Sequence, residues 1–84
     1  MPPARTFLVE AYAPAESKLL AVTEQARRAA ASLDGGRVVL HVRSILVAED
    51  ETCFHLFEAD SLDSVSTAVE AADIHASRIV EVAS

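Results

Sequence analysis

Two strand-like segments joined by a short acidic turn lie in the middle of this sequence and restrict its fold more than any other feature. The segments are residues 37–47 and 52–58, and both are rich in the β-branched and aromatic residues that favour extended structure. Residues 48–51 (AEDE) between them form a charged connection of the length that joins antiparallel strands. The sequence therefore predicts a β-hairpin over residues 37–59, which also contains two of the three histidines and the only cysteine.

A strand and a helix are predicted before the hairpin. Residues 5–12 (RTFLVEAY) favour a strand, which ends near Pro14 because proline has no backbone N–H to donate. Residues 16–33 then place apolar side chains at steps of three and four, so that they share one face of a helix. That face consists of Leu19, Val22, Ala26, Ala29 and Leu33. Asp34, Gly35 and Gly36 predict the end of the helix, because glycine readily adopts the left-handed conformation of a C-cap.

A helix and a strand are predicted after the hairpin. Ser61 is a candidate N-cap, and Asp63 lies in the first turn, where a negative charge suits the helix dipole. The apolar face of this helix consists of Leu62, Val65, Val69 and Ala72. Residues 77–83 (SRIVEVA) predict the last strand. The order βαββαβ predicts one α+β domain over residues 1–84 of the ferredoxin-like type, with a four-stranded antiparallel sheet and both helices on one face.

The composition argues against several classes of partner. Acidic residues outnumber basic ones by 13 to 7, and the resulting net charge of −6 disfavours nucleic acid and anionic membrane surfaces. No apolar run approaches the roughly 20 residues that span a bilayer. One cysteine cannot form an intramolecular disulfide, and the first residues, MPPARTF, lack the features of a secretory signal. These observations predict a cytoplasmic protein.

Side-chain alternation predicts which residues lie on the sheet face that the helices leave uncovered, here called the open face. The residues predicted to point toward the helices are Phe7, Val9, Ala11, Val38, Leu40, Val42, Leu46, Phe54 and Leu56. Those predicted on the open face are Leu8, Glu10, Tyr12, His41, Arg43, Ile45, Val47, Cys53, His55 and Phe57. An open face with this many apolar residues predicts a homodimer interface, or the wall of a pocket at such an interface. A register error of one residue would move every side chain of a strand to the other face.

Cys53 and His55 are candidate metal ligands. They are two residues apart on a strand, so both side chains leave the same face and can converge on one ion with bonds of roughly 2.0 to 2.3 Å. Thiolate and imidazole together favour nickel, zinc or copper. Further ligands would have to come from His41, Glu10, Glu81 or a symmetry mate. The commoner situation is a small buried cysteine beside a packed or solvent-facing histidine.

His75 lies between the second helix and the last strand. This position predicts an exposed loop residue, with a role as a remote ligand as the alternative.

Three segments carry a resemblance to a known family: FLVEAY near the start, HVRSILVAEDETCFHLFEA in the middle and SRIVEV near the end. Over nearly its whole length the chain resembles a family of small bacterial proteins catalogued as a domain of unknown function, in which one actinobacterial member is nickel-responsive and binds nickel. The resemblance implies a ferredoxin-like fold and dimerisation, and less firmly a nickel site. Members of the family often carry histidine where Arg43 stands and cysteine where His55 stands, so this chain departs from the family at both positions.

Catalytic motifs are scarce. The sequence has no glycine-rich phosphate loop, nucleophile elbow, CxxC or HExxH. One enzyme class remains compatible with the sequence: cofactor-light dimeric ferredoxin-like enzymes of the monooxygenase or isomerase type. Such an enzyme would use a pocket between the sheet and the helices, lined by His41, Arg43, His55 and Tyr12.

A further alternative is a module in which Arg43, with Glu10 and Tyr12 on the same face, binds a small carboxylate. The sequence predicts foremost a small dimeric accessory protein that binds nickel or zinc at the open face, through Cys53, His55 and His41, or another ligand there.

Overall fold

The computed structural model describes residues 5–31 and 37–83. It contains the six predicted elements in the predicted order: β1 Arg5–Tyr12, α1 Leu19–Ala31, β2 Val39–Val47, β3 Thr52–Ala59, α2 Leu62–Ala71 and β4 Ala76–Val82. A single 3₁₀ turn, Ala48–Asp50, joins β2 to β3 at the predicted acidic connection. The strands pair antiparallel in the order β2-β3-β1-β4, which is the ferredoxin-like α+β arrangement.

The helix boundaries follow local chemistry. Ser61 caps α2 as predicted, because its side chain accepts a hydrogen bond from the backbone N–H of Ser64. The first helix begins three residues later than predicted, since the Ser17 N–H bonds to the Pro14 carbonyl in a turn. Leu33 and the predicted stop at Asp34, Gly35 and Gly36 lie outside the described residues.

The core lies between the sheet and the two helices. Its largest apolar side chains, Phe7 and Phe57, are fully buried, and truncating a phenylalanine in such a position typically costs about 3 to 5 kcal/mol. The helices meet the sheet through small residues, among them the fully buried Ala26, Ala29 and Ala68. Leu19 and Leu62, predicted to be buried, are about half exposed, since each is the first residue of its helix, at the margin of the packed face.

The register of β1 is as predicted, and that of β3 is the reverse of the prediction. Phe7, Val9 and Ala11 are buried under the helices. They pair directly with residues of β3, in the order Phe57, His55 and Cys53. Since directly paired residues share a sheet face, these three also point toward the helices.

The prediction that Cys53, His55 and Phe57 lie on the open face is therefore wrong. Phe54 and Leu56, predicted to point inward, lie on the open face and are only half-buried.

A β-bulge explains why β2 follows the prediction in one half only. His41 pairs with Phe57, but Arg43 pairs with Leu56, so that Val42 is an extra residue in β2. After the bulge the prediction is correct: Leu46 points inward, and Arg43, Ile45 and Val47 lie on the open face. Before the bulge it is wrong, because Val39 and His41 point inward while Leu40 is exposed. Val38 and Val42, also predicted inward, are about half exposed.

The open face carries a continuous set of apolar side chains from all four strands. Its members are Leu8, Tyr12, Leu40, Ile45, Val47, Phe54, Leu56 and Val80. Polar residues on the same face include Glu10, Arg43, Glu58 and Arg78. In the part of the chain that the structure describes, no helix has the length and apolar character needed to cross a membrane.

Candidate functional site

Four polar side chains form a connected series on the helix-covered face of the sheet, here called the polar chain; its Cys53 and His55 are buried, and its His41 and Ser44 are half-buried. His41 Nε2 lies 2.9 Å from Ser44 Oγ, and Ser44 Oγ lies 2.7 Å from His55 Nδ1. At the other side of the same ring, His55 Nε2 lies 3.4 Å from Cys53 Sγ. Both ring nitrogens of His55 therefore have partners, as the burial of a polar ring requires.

The bulge at Val42 brings the polar chain together. His41 and Ser44 are three residues apart, so in a regular strand their side chains would leave opposite faces. The extra residue changes the phase of β2, and Ser44 then pairs directly with His55. Both polar side chains of β2 consequently lie on the helix-covered face with His55 and Cys53.

Burial keeps the polar chain neutral. His55 is 1% exposed, and this burial, with the neighbouring His41, lowers the pKa of His55 to about 4. Burial, and then the charge of Arg27, also lower the pKa of His41, while burial raises the pKa of the Cys53 thiol. At neutral pH the site holds a thiol and two uncharged imidazoles.

Cys53 and His55 also line a cleft of about 350 Å³ between the sheet and the helices. The other lining residues are Ala11, Tyr12, Ala13, Pro14, Ser17, Val22, Gln25, Asp73, Ile74 and His75. Small-molecule sites in proteins typically occupy about 300 to 1,000 Å³, so the cleft is large enough for a metal ion with its waters or a very small organic ligand.

Glu51 shapes the cleft where β1 ends. Its carbonyl accepts a hydrogen bond from the Ala13 N–H at 2.8 Å, and its carboxylate accepts one from the Ala15 N–H at 3.2 Å. The Tyr12 hydroxyl donates to the same carboxylate over 3.5 Å. The acidic hairpin turn thus holds the segment after β1 against the sheet.

The predicted site residues divide between the two sheet faces. Cys53, His55 and His41 are brought together, but under the helices rather than on the open face. Arg43 and Glu10 lie on the open face, as predicted from alternation, and there Glu10 is 3.8 Å from Arg78.

The remaining candidates lie at or away from the cleft. Tyr12 is 58% exposed at its edge, and His75 is exposed and lines it. Glu81 forms an ion pair with Arg5 at 2.8 Å, which occupies its carboxylate.

Ser44 is the member of the site that sequence reasoning missed. A serine in a strand carries no chemical signal of its own, and regular alternation separates it from His41. Its pairing with His55 could be recognised only from the bulge.

The spacing of Cys53 and His55 suits two ligands of one metal ion. Tetrahedral coordination with bonds of about 2.1 Å to nitrogen and 2.3 Å to sulfur places the two donors about 3.6 Å apart. The observed distance between Sγ and Nε2 is 3.4 Å. Among the described residues, no group of three or more His, Cys, Asp and Glu side chains is arranged to hold a metal. The pair thus fits a metal ion, whereas a full ligand set is not preassembled in these residues.

Comparison with known proteins yields no match to a family model, to a curated protein or to a solved structure. Inferences about function therefore depend on the residues and their geometry.

His55 should make stability depend on pH. An exposed histidine has a pKa of 6.5 and folded His55 has one of about 4, so between these values the unfolded chain binds more protons. The free energy of unfolding should therefore fall as the pH is lowered from about 6.5 to about 4, by up to about 3 kcal/mol from this residue. Urea denaturation across this range measures the effect.

The non-titrating variant His55→Gln should have a shallower dependence on pH, whereas Ser66→Ala, at an exposed position of α2, should keep the wild-type slope. Equal slopes in wild type and His55→Gln would contradict the burial of a neutral His55.

Proposed function

We propose that this protein is a small homodimeric accessory protein that binds a transition-metal ion, nickel or zinc, through Cys53 and His55. The observation that carries the proposal is the 3.4 Å separation of Cys53 Sγ and His55 Nε2 in a pair that lines a cleft. Thiolate and imidazole are ligands that nickel and zinc accept readily. The proposed site lies on the helix side of the sheet, away from the open face that sequence alternation favoured.

The remaining ligands would come from the cleft. His75 lines it together with Cys53 and His55 and is the candidate for a third protein ligand. Water would complete the coordination, as is common where a chain supplies few donors. Binding that requires His75 to join the pair should be weaker than binding to a preassembled site, which suits an accessory protein that exchanges its metal.

The protonation of the pair favours binding over cysteine catalysis. A nucleophilic cysteine is usually activated by a lowered pKa beside a charged histidine. Here burial raises the pKa of Cys53 and lowers that of His55. The residues proposed for enzyme activity are also divided, since His41 and His55 point toward the helices while Arg43 lies on the open face.

The resemblance to the small bacterial family with a nickel-binding member is further support for the metal proposal. We infer membership of that family from the segments FLVEAY, HVRSILVAEDETCFHLFEA and SRIVEV. A free thiol at Cys53 suits a reducing compartment, so a cytoplasmic location is part of the proposal.

Metal uptake tests the proposed site. Isothermal titration of the metal-free protein with Ni²⁺ or Zn²⁺ should give about one ion per chain, with release of about one proton at neutral pH, because the thiol must ionise while His55 is already neutral. Buffers of different ionisation enthalpy measure the proton count.

The double variant Cys53→Ser, His55→Gln should lose the uptake, and His75→Ala should weaken it. Arg43→Ala, on the open face, is the control and should bind as the wild type does. Undiminished uptake in the double variant, with circular dichroism showing an intact fold, would refute the site.

We further propose that a second copy of the chain covers the open face. Leu40 is 56% exposed and Ile45 is 49% exposed, beside half-buried Phe54 and Leu56. A short chain has little capacity to cover such a surface itself, and a contiguous apolar patch of this kind is typical of an interface. Arg43 could pair there with an acidic residue of the second copy, such as Glu58.

A charged substitution tests this interface. Sedimentation equilibrium should give twice the 9.0 kDa chain mass for the wild type and the chain mass for Ile45→Lys, because a lysine in the middle of the interface would be desolvated without a partner. Leu20→Lys is the control, since Leu20 is 74% exposed but lies on α1, and it should stay dimeric. A monomeric wild type at micromolar concentration would exclude the proposed dimer.

A further inference from the structure

We propose that Ser44 is a positioning residue that fixes His55 in the tautomer protonated at Nδ1, so that the lone pair of Nε2 faces Cys53. The tautomer assignment depends only on the polar chain. Its consequence for metal binding rests on the function proposed above.

The Ser44 hydroxyl lies between two imidazole rings and has one proton. Its Oγ is 2.9 Å from His41 Nε2 and 2.7 Å from His55 Nδ1. A hydroxyl that donates its proton to one ring must accept a proton from the other ring, so the donors of both bonds point the same way along the polar chain. Either Ser44 donates to His41 and accepts from His55, or the reverse holds.

The buried end of the polar chain decides between these directions. The Cys53 thiol is 2% exposed, and His55 Nε2 lies 3.4 Å from its sulfur. A buried donor needs an acceptor, so the thiol donates and Nε2 of His55 is bare. A neutral ring then carries its proton on Nδ1.

The remaining protons follow along the chain. Nδ1–H of His55 donates to Ser44 Oγ, so the Ser44 hydroxyl donates to His41 Nε2. The last ring proton then lies on Nδ1 of His41, at the half-buried end of the polar chain. The reverse direction would leave the thiol proton of buried Cys53 without an acceptor in the chain.

This tautomer prepares His55 for a metal ion. Nε2 already presents a lone pair at the cleft, and only the thiol proton must leave when a metal binds. Histidines that bind metals usually donate their other N–H to a neighbouring group, and changing that group typically lowers metal affinity about 10- to 100-fold. Ser44 would supply that acceptor without touching the metal.

Two-bond ¹H–¹⁵N NMR of the metal-free wild type near neutral pH tests the assignment directly, because protonated and bare ring nitrogens have well-separated ¹⁵N shifts. Both His55 and His41 should be protonated at Nδ1 and bare at Nε2. A wild-type His55 protonated at Nε2 would overturn the proposal without any variant.

Substitutions test whether Ser44 sets the tautomer. Ser44→Ala should give His55 averaged ¹⁵N shifts from a mixture of tautomers, and Ser44→Thr, which restores the hydroxyl, should return the wild-type spectrum. His41→Ala should also move His55 toward protonation at Nε2, because Ser44 is then free to donate to Nδ1. Ser66→Ala, at an exposed position of α2, is the matched control and should change nothing.

Metal titration separates this inference from the proposed function. Ser44→Ala should bind Ni²⁺ or Zn²⁺ about 10- to 100-fold more weakly than wild type, with recovery in Ser44→Thr. Unchanged affinity in a folded Ser44→Ala would refute the positioning role. Absence of binding in a wild type with the expected tautomer would refute the metal function while supporting the assignment of His55.

Discussion

The hydrogen bond between Ser44 Oγ and His55 Nδ1 is the interaction on which the polar interior of this protein depends. His55 is among the largest fully buried side chains, and an imidazole in that position is tolerated only when its nitrogens have partners. The 2.7 Å bond supplies one partner and joins the β2 half of the polar chain to the β3 half. Without it Nδ1 of buried His55 would lose its partner, and the pair of His41 and Ser44 would be separate from the pair of His55 and Cys53.

One extra residue in β2 makes that bond possible. The bulge at Val42 turns both His41 and Ser44 toward the helices, although they are three residues apart. It also leaves Arg43 and Ile45 on the open face, where they belong to the surface proposed for dimerisation. The metal proposal and the dimer proposal therefore concern opposite faces of the sheet, and each can fail without the other.

The sequence was sufficient to predict the order of the elements, the cap at Ser61 and the inward face of β1. These features follow from local chemistry and from periods of two or three to four residues. The bulge could not be predicted, because Val42 has no property that distinguishes an extra residue from a regular strand position. If side chains are assumed to alternate without a break through β2, their predicted faces are correct after Val42 and wrong before it.

The register of β3 was predicted from hydrophobicity, which favoured burying Phe54 and Leu56. The helices instead cover the alternate residues, and their fully buried alanines, such as Ala26 and Ala68, belong to the same core cluster as Cys53 and Phe57. A signal was present in the sequence, since Glu58 shares the phase of Phe54 and Leu56 and a charged residue favours the uncovered face. An apolar open face is acceptable where a second chain covers it, so hydrophobicity alone does not decide which side chains of β3 point inward.

The reactivity of Cys53 tests the burial of the Cys53 and His55 pair most directly, because Cys53 is the only cysteine of the chain. A thiol that is 2% exposed and has a raised pKa should react with the bulky disulfide reagent DTNB only through rare opening of the structure. The native protein should therefore react on the order of 100-fold or more slowly than the urea-unfolded chain. Native Cys53 that reacts stoichiometrically at the rate of the unfolded chain would place the thiol on the open face and contradict the site described here.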